Sequence, residues 1–166
     1  MTPSQAEAIR KLVEETNARR GAMVEGTDRV SRIADHGSGK GYQWLARRVH
    51  ETWGGILPHC YDPGVRQLSA DLEPETFDGV ICTNVMEHVE RRFVIGTIRK
   101  IFGLLRPDVP TFAYFYICTT LAGKTFPDGR NLHLTVQGAD WWNERLREYC
   151  GENVVLVAEY GRAGKD

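Results

Sequence analysis

The chain has 166 residues, and its 21 Lys and Arg residues against 22 Asp and Glu residues give a net charge of -1. This length fits one domain that can bury a sizeable core without disulfide bonds. The balanced charge offers no general attraction for an acidic membrane surface or for nucleic acid, which is therefore not indicated as a partner. No apolar run approaches the roughly 20 residues of a membrane span, and the charged N-terminal stretch is unlike a signal peptide. We expect a cytoplasmic protein, monomeric or homodimeric, with no membrane contact.

The first predicted element is an amphipathic helix over residues 3–20, in which Ile9, Leu12, Val13 and Thr16 recur at helical spacing. A short strand over 29–34 leads into the glycine-rich turn Asp35-His36-Gly37-Ser38-Gly39-Lys40-Gly41. The helix predicted after this turn ends before Gly54-Gly55. Its apolar face comprises Tyr42, Leu45, Ala46 and Val49.

Strand and helix patterns alternate along the rest of the chain. The predicted strands cover 56–61, 77–83, 111–118 and 154–158, and the predicted helices cover 94–105 and 139–149. Such alternation indicates a mostly parallel sheet that is covered on both faces. We predict an α/β fold, a three-layer Rossmann-like domain spanning 1–166. It comprises the N-terminal helix, a core over 29–118 and a loop, helix and last strand over 119–166.

The connection between the second and third predicted strands is short. The roughly fifteen residues between Tyr61 and Phe77 leave no room for the strand and helix that such domains usually have there, since a parallel crossover alone needs a dozen or more. We therefore predict a reduced fold that lacks the usual third strand and its helix. The strand over 56–61 then lies at a sheet edge, in agreement with Pro58, because proline lacks the N–H that a central strand donates.

The four cysteines, Cys60, Cys82, Cys118 and Cys150, are far apart in the sequence. Zinc sites normally use pairs of cysteines two to four residues apart, so this spacing predicts no cysteine metal site. Three of the four lie in apolar segments, which indicates reduced thiols inside the fold.

Two features at the ends of predicted strands point to a ligand. The glycine-rich turn lies between a strand and a helix, where the backbone can approach a ligand closely and helix-start N–H groups attract an anion, although a tight turn alone also explains glycines. Asp62 ends the next strand, where an acid can receive the hydroxyls of a ribose, or can instead cap the Asp62-Pro63-Gly64 turn. A dinucleotide-binding fingerprint is disfavoured, because the three glycines fall on alternate residues.

Four segments resemble, in order, the motifs of class I S-adenosylmethionine-dependent methyltransferases. These segments are 33–41, Tyr61-Asp62-Pro63, 77–89 and Leu104-Leu105-Arg106-Pro107. The chain most resembles the small-molecule branch in which the fourth strand of the family runs into Glu-His-Val. The resemblance implies methyl transfer from S-adenosylmethionine to an unidentified small-molecule acceptor, with release of S-adenosylhomocysteine. The chain departs from the family after Pro107, where Asp108 follows instead of the usual glycines.

The resemblance also implies which residues contact the cofactor. Asp35, Gly37, Ser38 and Gly39 would line the methionine portion, and Asp62 would hold the ribose. Thr83, Asn84 and Val85 would lie beside the sulfonium. Asp71 is a candidate for the adenine amine, and a solvated surface carboxylate is an equally open interpretation of it. The neighbouring residues His36, Gly41, Tyr42 and Pro63 complete the expected cofactor site.

Three residues are candidates for catalysis. Glu87 and His88 follow the strand over 77–83, where the acceptor would lie, and His88 could take a proton from it. His133 and Arg130, in the loop after residue 118, either contact the acceptor or only fix the loop. Structural roles for Glu87 and His88, as a helix cap and as packing, are equally open. The stretch is also similar to ubiquinone-pathway O-methyltransferases, in which related positions have been linked to a divalent metal. Because Asn84 replaces one acid, we predict no metal.

Two further functions stay open. One is cofactor binding without transfer, which the missing segment and the short C-terminal end favour. The other is methylation of nucleic acid or protein, which would require a focused basic patch. Basic residues do recur at helical spacing, but solvated helix faces explain them more simply. They are Arg47, Arg48, Arg91, Arg92, Arg99 and Lys100.

Overall fold

A five-stranded sheet forms the centre of the fold. The structure is a computed structural model that describes residues 1–23 and 28–163. Residues 164–166, the end of the predicted acceptor-side segment, lie outside this range. The strands are β1 (Ile33–His36), β2 (His59–Tyr61), β3 (Gly79–Thr83), β4 (Thr111–Cys118) and β5 (Val154–Gly161). Their order is β2-β1-β3-β4-β5, and every pairing is parallel. The predicted Rossmann-like α/β fold is confirmed.

Helices cover both faces of the sheet. They are α1 (Pro3–Met23), α2 (Tyr42–Leu45), α3 (Val94–Phe102) and α4 (Ala139–Tyr149). Along β4, Phe112 and Tyr114 join the core cluster that contains α1, whereas Ala113, Phe115 and Ile117 join the cluster that contains α3 and α4. Alternate residues of a strand point to opposite faces, so the two clusters are the two faces of a three-layer domain. None of the helices in the described ranges is both long and apolar enough to cross a membrane.

The strand β2 lies at one edge of the sheet, beside β1, as the short connection and Pro58 predict. Within the described chain, the segment between β2 and β3 contains a single helical element, the 3-10 turn Arg66–Leu68. The four cysteines are free. Cys82 and Cys118 are buried, and Cys60 and Cys150 are half-buried.

The segment after the glycine-rich turn differs from its prediction. Instead of one long helix, the chain forms the four-residue α2 and a separate 3-10 helix, Val49–Trp53. Tyr42 and Leu45 are 65% and 71% exposed, whereas Trp44 and Trp53 are buried and meet edge to face at 5.6 Å. A left-handed φ of 50° at Arg48 interrupts the helix, and the two indoles pack into the core in place of the predicted apolar face.

A buried ion pair joins elements at the amino edge of the sheet, the edge where the parallel strands begin. Arg20 Nη2 lies 2.7 Å from Asp78 Oδ1, and both side chains are buried. Arg20 Nε donates to Pro110 O at 2.8 Å, just before β4. The amides of Ser31 and Arg32 donate to Asp78 Oδ2 at 2.8 and 2.9 Å. These bonds fix the end of α1 to the starts of β1, β3 and β4.

Candidate functional site

The glycine-rich turn leaves the sheet at its carboxyl edge, the edge where the parallel strands end. Asp35 and His36 belong to β1 rather than to the turn, because β1 begins and ends later than the strand predicted over 29–34. The amides of Gly37 and Ser38 both donate to Tyr61 O, at 2.7 and 3.1 Å. This pair of bonds ties the turn to the end of β2, at the crevice where ligands of such sheets bind. Both amides are occupied by Tyr61 O, so they are not the free N–H groups that the sequence predicts for an anion.

The glycines of the turn have different surroundings. Gly37 has a φ of 85°, and a Cβ at that position would lie 2.2 Å from Val85 Cγ2. Gly39 has a φ of 56°, and a Cβ there would meet no atom within 4 Å. Glycine is therefore required at position 37 by the packing of Val85, whereas position 39 leaves the backbone open to a ligand.

Asp35 is a buried acid with incomplete partners. Its Oδ2 accepts hydrogen bonds from Trp44 Nε1 at 2.6 Å and Gln43 Nε2 at 3.0 Å. Its Oδ1 has no partner among the described residues. Burial raises the pKa of Asp35 to about 6, against the opposing effect of the Trp44 and Gln43 hydrogen bonds. Sequence reasoning missed Trp44 and Gln43, because no spacing rule links them to Asp35.

Asp62 fastens the turn to the chain after β2. Its Oδ2 accepts from the amide of Gly39 and its Oδ1 from the amide of Gly64, each at 2.8 Å. The capping interpretation is therefore correct. Each carboxylate oxygen still has a second lone pair for a ligand hydroxyl. Pro63 is exposed beside Asp62 in this turn.

The remaining cofactor candidates near β2 form a separate group. His36 packs on Tyr61 with ring centroids 4.8 Å apart, and burial, followed by Lys100, lowers the pKa of His36 to about 4. Asp71 is exposed and forms an ion pair with Lys100 at 2.5 Å, and its hydrogen bond to Lys100 lowers the pKa of Asp71. Lys100 Nζ also donates to Tyr61 Oη at 3.2 Å, so this group is continuous with the end of β2.

The chain bends sharply after β3. Thr83 is half-buried at the end of the strand, opposite Tyr116 of β4. Asn84 has a φ of 54°, a left-handed conformation that asparagine tolerates better than most residues, and its amide donates to Tyr116 O at 2.8 Å. This bend places Val85 over Gly37 and starts the 3-10 turn Met86–His88.

Glu87 is fully buried inside that turn. Its Oε1 accepts from the amide of Cys118 at 3.2 Å, and its Oε2 has no partner among the described residues. Burial raises the pKa of this carboxyl. The Glu87 carbonyl accepts from the amide of Thr135 at 3.0 Å, which fixes the loop after β4 against the end of β3.

The two candidate histidines meet beside Glu87. His88 Nδ1 lies 3.0 Å from Leu132 O, and His133 Nδ1 lies 2.5 Å from Thr120 O. Their rings are edge to face at 4.9 Å. One ligand atom from each of Glu87, His88 and His133 lies within 4.8 Å of the other two. Arg130, the other loop candidate, instead forms an exposed ion pair with Asp128 at 2.7 Å.

A cavity of about 780 Å³ opens over this cluster, and Asn84, Glu87, His88 and His133 line one side of it. Arg47, Lys124 and Arg162 contribute to the same lining, together with the first residues of the chain and α1. Among the described residues, the lining does not include the glycine-rich turn or Asp62. The carboxyl edge thus presents two adjoining regions, the turn with Asp35 and Asp62, and the cavity with its histidines.

Comparison with models of protein families finds no match to this chain, and comparison with curated protein sequences finds none either.

Proposed function

We propose that this chain binds S-adenosylmethionine at the carboxyl edge of its sheet and transfers the methyl group to a small molecule in the cavity beside β3 and β4. The proposal rests on one observation. The glycine-rich turn, Asp35, Asp62 and the cavity with Glu87, His88 and His133 all lie at the same edge of a parallel sheet, which is where open α/β sheets bind ligands.

The turn offers complementary groups to the two ends of the cofactor. The unpaired Asp35 Oδ1 would accept from the ammonium group of the methionine portion, which would complete the hydrogen bonding of a buried acid. Gly39 leaves room for the cofactor beside the turn. Asp62 would accept hydrogen bonds from the ribose hydroxyls through its free lone pairs. The sulfonium would then lie near Asn84 and Val85, between the turn and the cavity.

The charge of the cavity favours an acceptor that carries a carboxylate or a phosphate. Arg47, Lys124 and Arg162 are exposed, and none of them has an ion-pair partner among the described residues. Glu87 is the one acid in the described lining, and it is buried. Three cations that form no ion pair within the described part of the chain would attract an anionic small molecule and orient it.

The reaction requires little beyond positioning, because the sulfonium is already activated and an in-line approach of the acceptor supplies most of the rate. The proton of an acceptor hydroxyl or amine would leave towards the cluster of Glu87, His88 and His133. The backbone carbonyls at both Nδ1 atoms hold the rings so that their Nε2 atoms are available for this step.

Binding of S-adenosylhomocysteine, measured by titration calorimetry, tests the cofactor site. Asp62→Ala is expected to weaken binding by about 1–3 kcal/mol, since charge-assisted hydrogen bonds are lost. Asp108→Ala, which removes an exposed aspartate near the amino edge, is the matched control and should bind normally. Equal affinity in the two variants would remove Asp62 from the site.

A second measurement distinguishes methyl transfer from cofactor binding alone. Binding alone is the alternative because the described chain has only one 3-10 turn between β2 and β3. The protein is incubated with tritiated S-adenosylmethionine and a low-molecular-weight extract. Transfer is expected to give a labelled small molecule that an anion exchanger retains. Binding of S-adenosylhomocysteine without any labelled product would identify a cofactor-binding protein.

A further inference from the structure

The geometry of Glu87, His88 and His133 goes beyond what proton transfer requires. A carbonyl oxygen can only accept a hydrogen bond, so the Nδ1 atoms beside Leu132 O and Thr120 O carry the ring hydrogens. In the neutral rings, each Nε2 then has a free lone pair. Metal-binding histidines in proteins are held in this way, with the second ring nitrogen bonded to a carbonyl that fixes the tautomer.

Glu87 supplies an independent sign of a missing ligand. Its side chain is 0% exposed, yet Oε2 has no hydrogen-bond partner among the described residues. A buried carboxylate oxygen without a partner is unfavourable by several times the net stability of an ordinary hydrogen bond. The Cys118 amide holds Oε1 and thereby fixes the orientation of the carboxylate.

We propose that Glu87, His88 and His133 bind a divalent transition-metal ion at the floor of the cavity. One ligand atom from each residue lies within 4.8 Å of the other two, a spacing that a small cation can bridge with little movement of the side chains. Three protein ligands leave coordination positions that face the cavity, as in metal sites that bind water or substrate.

The ligand set selects the type of metal. Two imidazoles and one carboxylate suit Zn²⁺, Co²⁺ and similar ions, whereas Mg²⁺ prefers oxygen ligands. The sequence predicts no metal because Asn84 replaces an acid. Asn84 is not one of the three proposed ligands. The third candidate ligand is His133, and the bond between the Thr135 amide and the Glu87 carbonyl holds the loop of His133 beside Glu87.

Metal binding by these residues does not depend on the proposed methyl transfer. With a metal bound, the two Nε2 atoms would no longer be free to take a proton, and the proton of the acceptor would leave to water instead. A bound cation would stabilise the ionised form of an acceptor hydroxyl in the same cavity. Metal affinity and S-adenosylhomocysteine affinity are separate measurements, so each proposal can fail without the other.

The test uses the full chain without an affinity tag. Dialysis against a chelator first removes any bound metal. Titration with Co²⁺ is followed by visible absorption, which reports nitrogen and oxygen ligation, and by calorimetry. One Co²⁺ per chain is expected, and a tenfold excess of Mg²⁺ should not displace it. Glu87→Gln and His133→Gln should each weaken Co²⁺ binding by roughly 10- to 100-fold or more.

His59→Gln is the matched control, because it also removes one histidine, and His59 is exposed on β2 outside the cluster. This variant should bind Co²⁺ like the unmodified chain, and circular dichroism verifies that all variants are folded. His133→Gln keeps the test decisive if Glu87→Gln does not fold, since His133 lies in a half-buried loop.

The proposal is overturned if Co²⁺ does not bind at millimolar concentration, or if it binds the two cluster variants as tightly as it binds the unmodified chain. Displacement by Mg²⁺ would also overturn the ligand assignment. Binding of Co²⁺ without binding of S-adenosylhomocysteine would support the metal site and reject the proposed function. The reverse result would reject the metal site alone.

Discussion

The two edges of the sheet each bury acids, and they treat them in opposite ways. At the amino edge, both oxygens of Asp78 are satisfied, by Arg20 and by two backbone amides. At the carboxyl edge, Asp35 and Glu87 each keep one oxygen without a partner among the described residues. A buried acid with complete partners stabilises the fold, whereas an incomplete one destabilises it unless a ligand completes the set.

The electrostatics of the three acids follow the same division. Burial by itself raises the pKa of Asp78, but the Ser31 amide, Arg20 and the Arg32 amide together outweigh burial and hold the pKa below its usual value. Burial dominates at the other edge, where it raises the pKa of Asp35 to about 6 and also raises that of Glu87. The contrast separates an acid whose charge the fold compensates from two acids whose charge it does not.

The largest expected effect is at the amino edge. Asp78→Ala should lower the free energy of unfolding by about 3–5 kcal/mol, because it leaves the Arg20 guanidinium buried without its partner. Urea unfolding measures the change. The exposed Asp108→Ala should change stability by less than about 0.5 kcal/mol. A loss at Asp78 as small as that of the control would show that this ion pair does not support the fold.

Asp35→Asn should raise the free energy of unfolding at neutral pH, whereas Asp78→Ala lowers it. The folded chain holds the Asp35 proton more tightly than the unfolded chain, so stability falls as the pH rises from about 4 to about 6. Between the ordinary pKa of 3.8 and about 6, this loss amounts to at most about 3 kcal/mol. Asparagine carries no charge, so the variant should be more stable than the unmodified chain by about 1–3 kcal/mol at pH 7 and equal to it near pH 4.

Urea unfolding at several pH values measures this difference. Asp108→Asn, which alters an exposed aspartate, is the matched control, and its stability should differ from that of the unmodified chain by less than about 0.5 kcal/mol. Asp35→Asn is also expected to weaken S-adenosylhomocysteine binding, so that stability and affinity change in opposite directions. A variant that is less stable at pH 7 would group Asp35 with Asp78 and remove the contrast between the edges.

Much of the fold could be predicted because buried strands of a parallel sheet are continuous apolar runs, as in 111–118. The short connection before Phe77 also placed β2 at the edge. The prediction of one long helix after the glycine-rich turn was wrong, because it applied helical periodicity across a segment that the chain interrupts. The left-handed Arg48, which interrupts it, is not a glycine and gives no signal in the sequence.

The candidate site shows the same limit. Its residues could be named individually, because reactive side chains at the carboxyl ends of parallel strands lie at the same edge of the sheet. Their partners could not be found, because contacts such as those of Tyr61 with Lys100 and of Glu87 with the Cys118 amide join residues far apart in the chain. No spacing rule reports that Val85 occupies the space over Gly37.

The smallest expected effect on stability tests which part of the glycine-rich turn faces a ligand. Gly39→Ala should lower the free energy of unfolding by about 1 kcal/mol, the strain of a left-handed alanine, because the new methyl group meets open space. The same methyl group should strongly weaken S-adenosylhomocysteine binding, measured by calorimetry, since it would occupy the space of the cofactor. Gly37→Ala should destabilise the fold more, because its Cβ would overlap Val85, and Val85→Ala in the same chain should recover part of that loss. If Gly39→Ala bound S-adenosylhomocysteine normally, the open side of the turn would not be the cofactor site, and the unpaired oxygen of Asp35 would need another ligand.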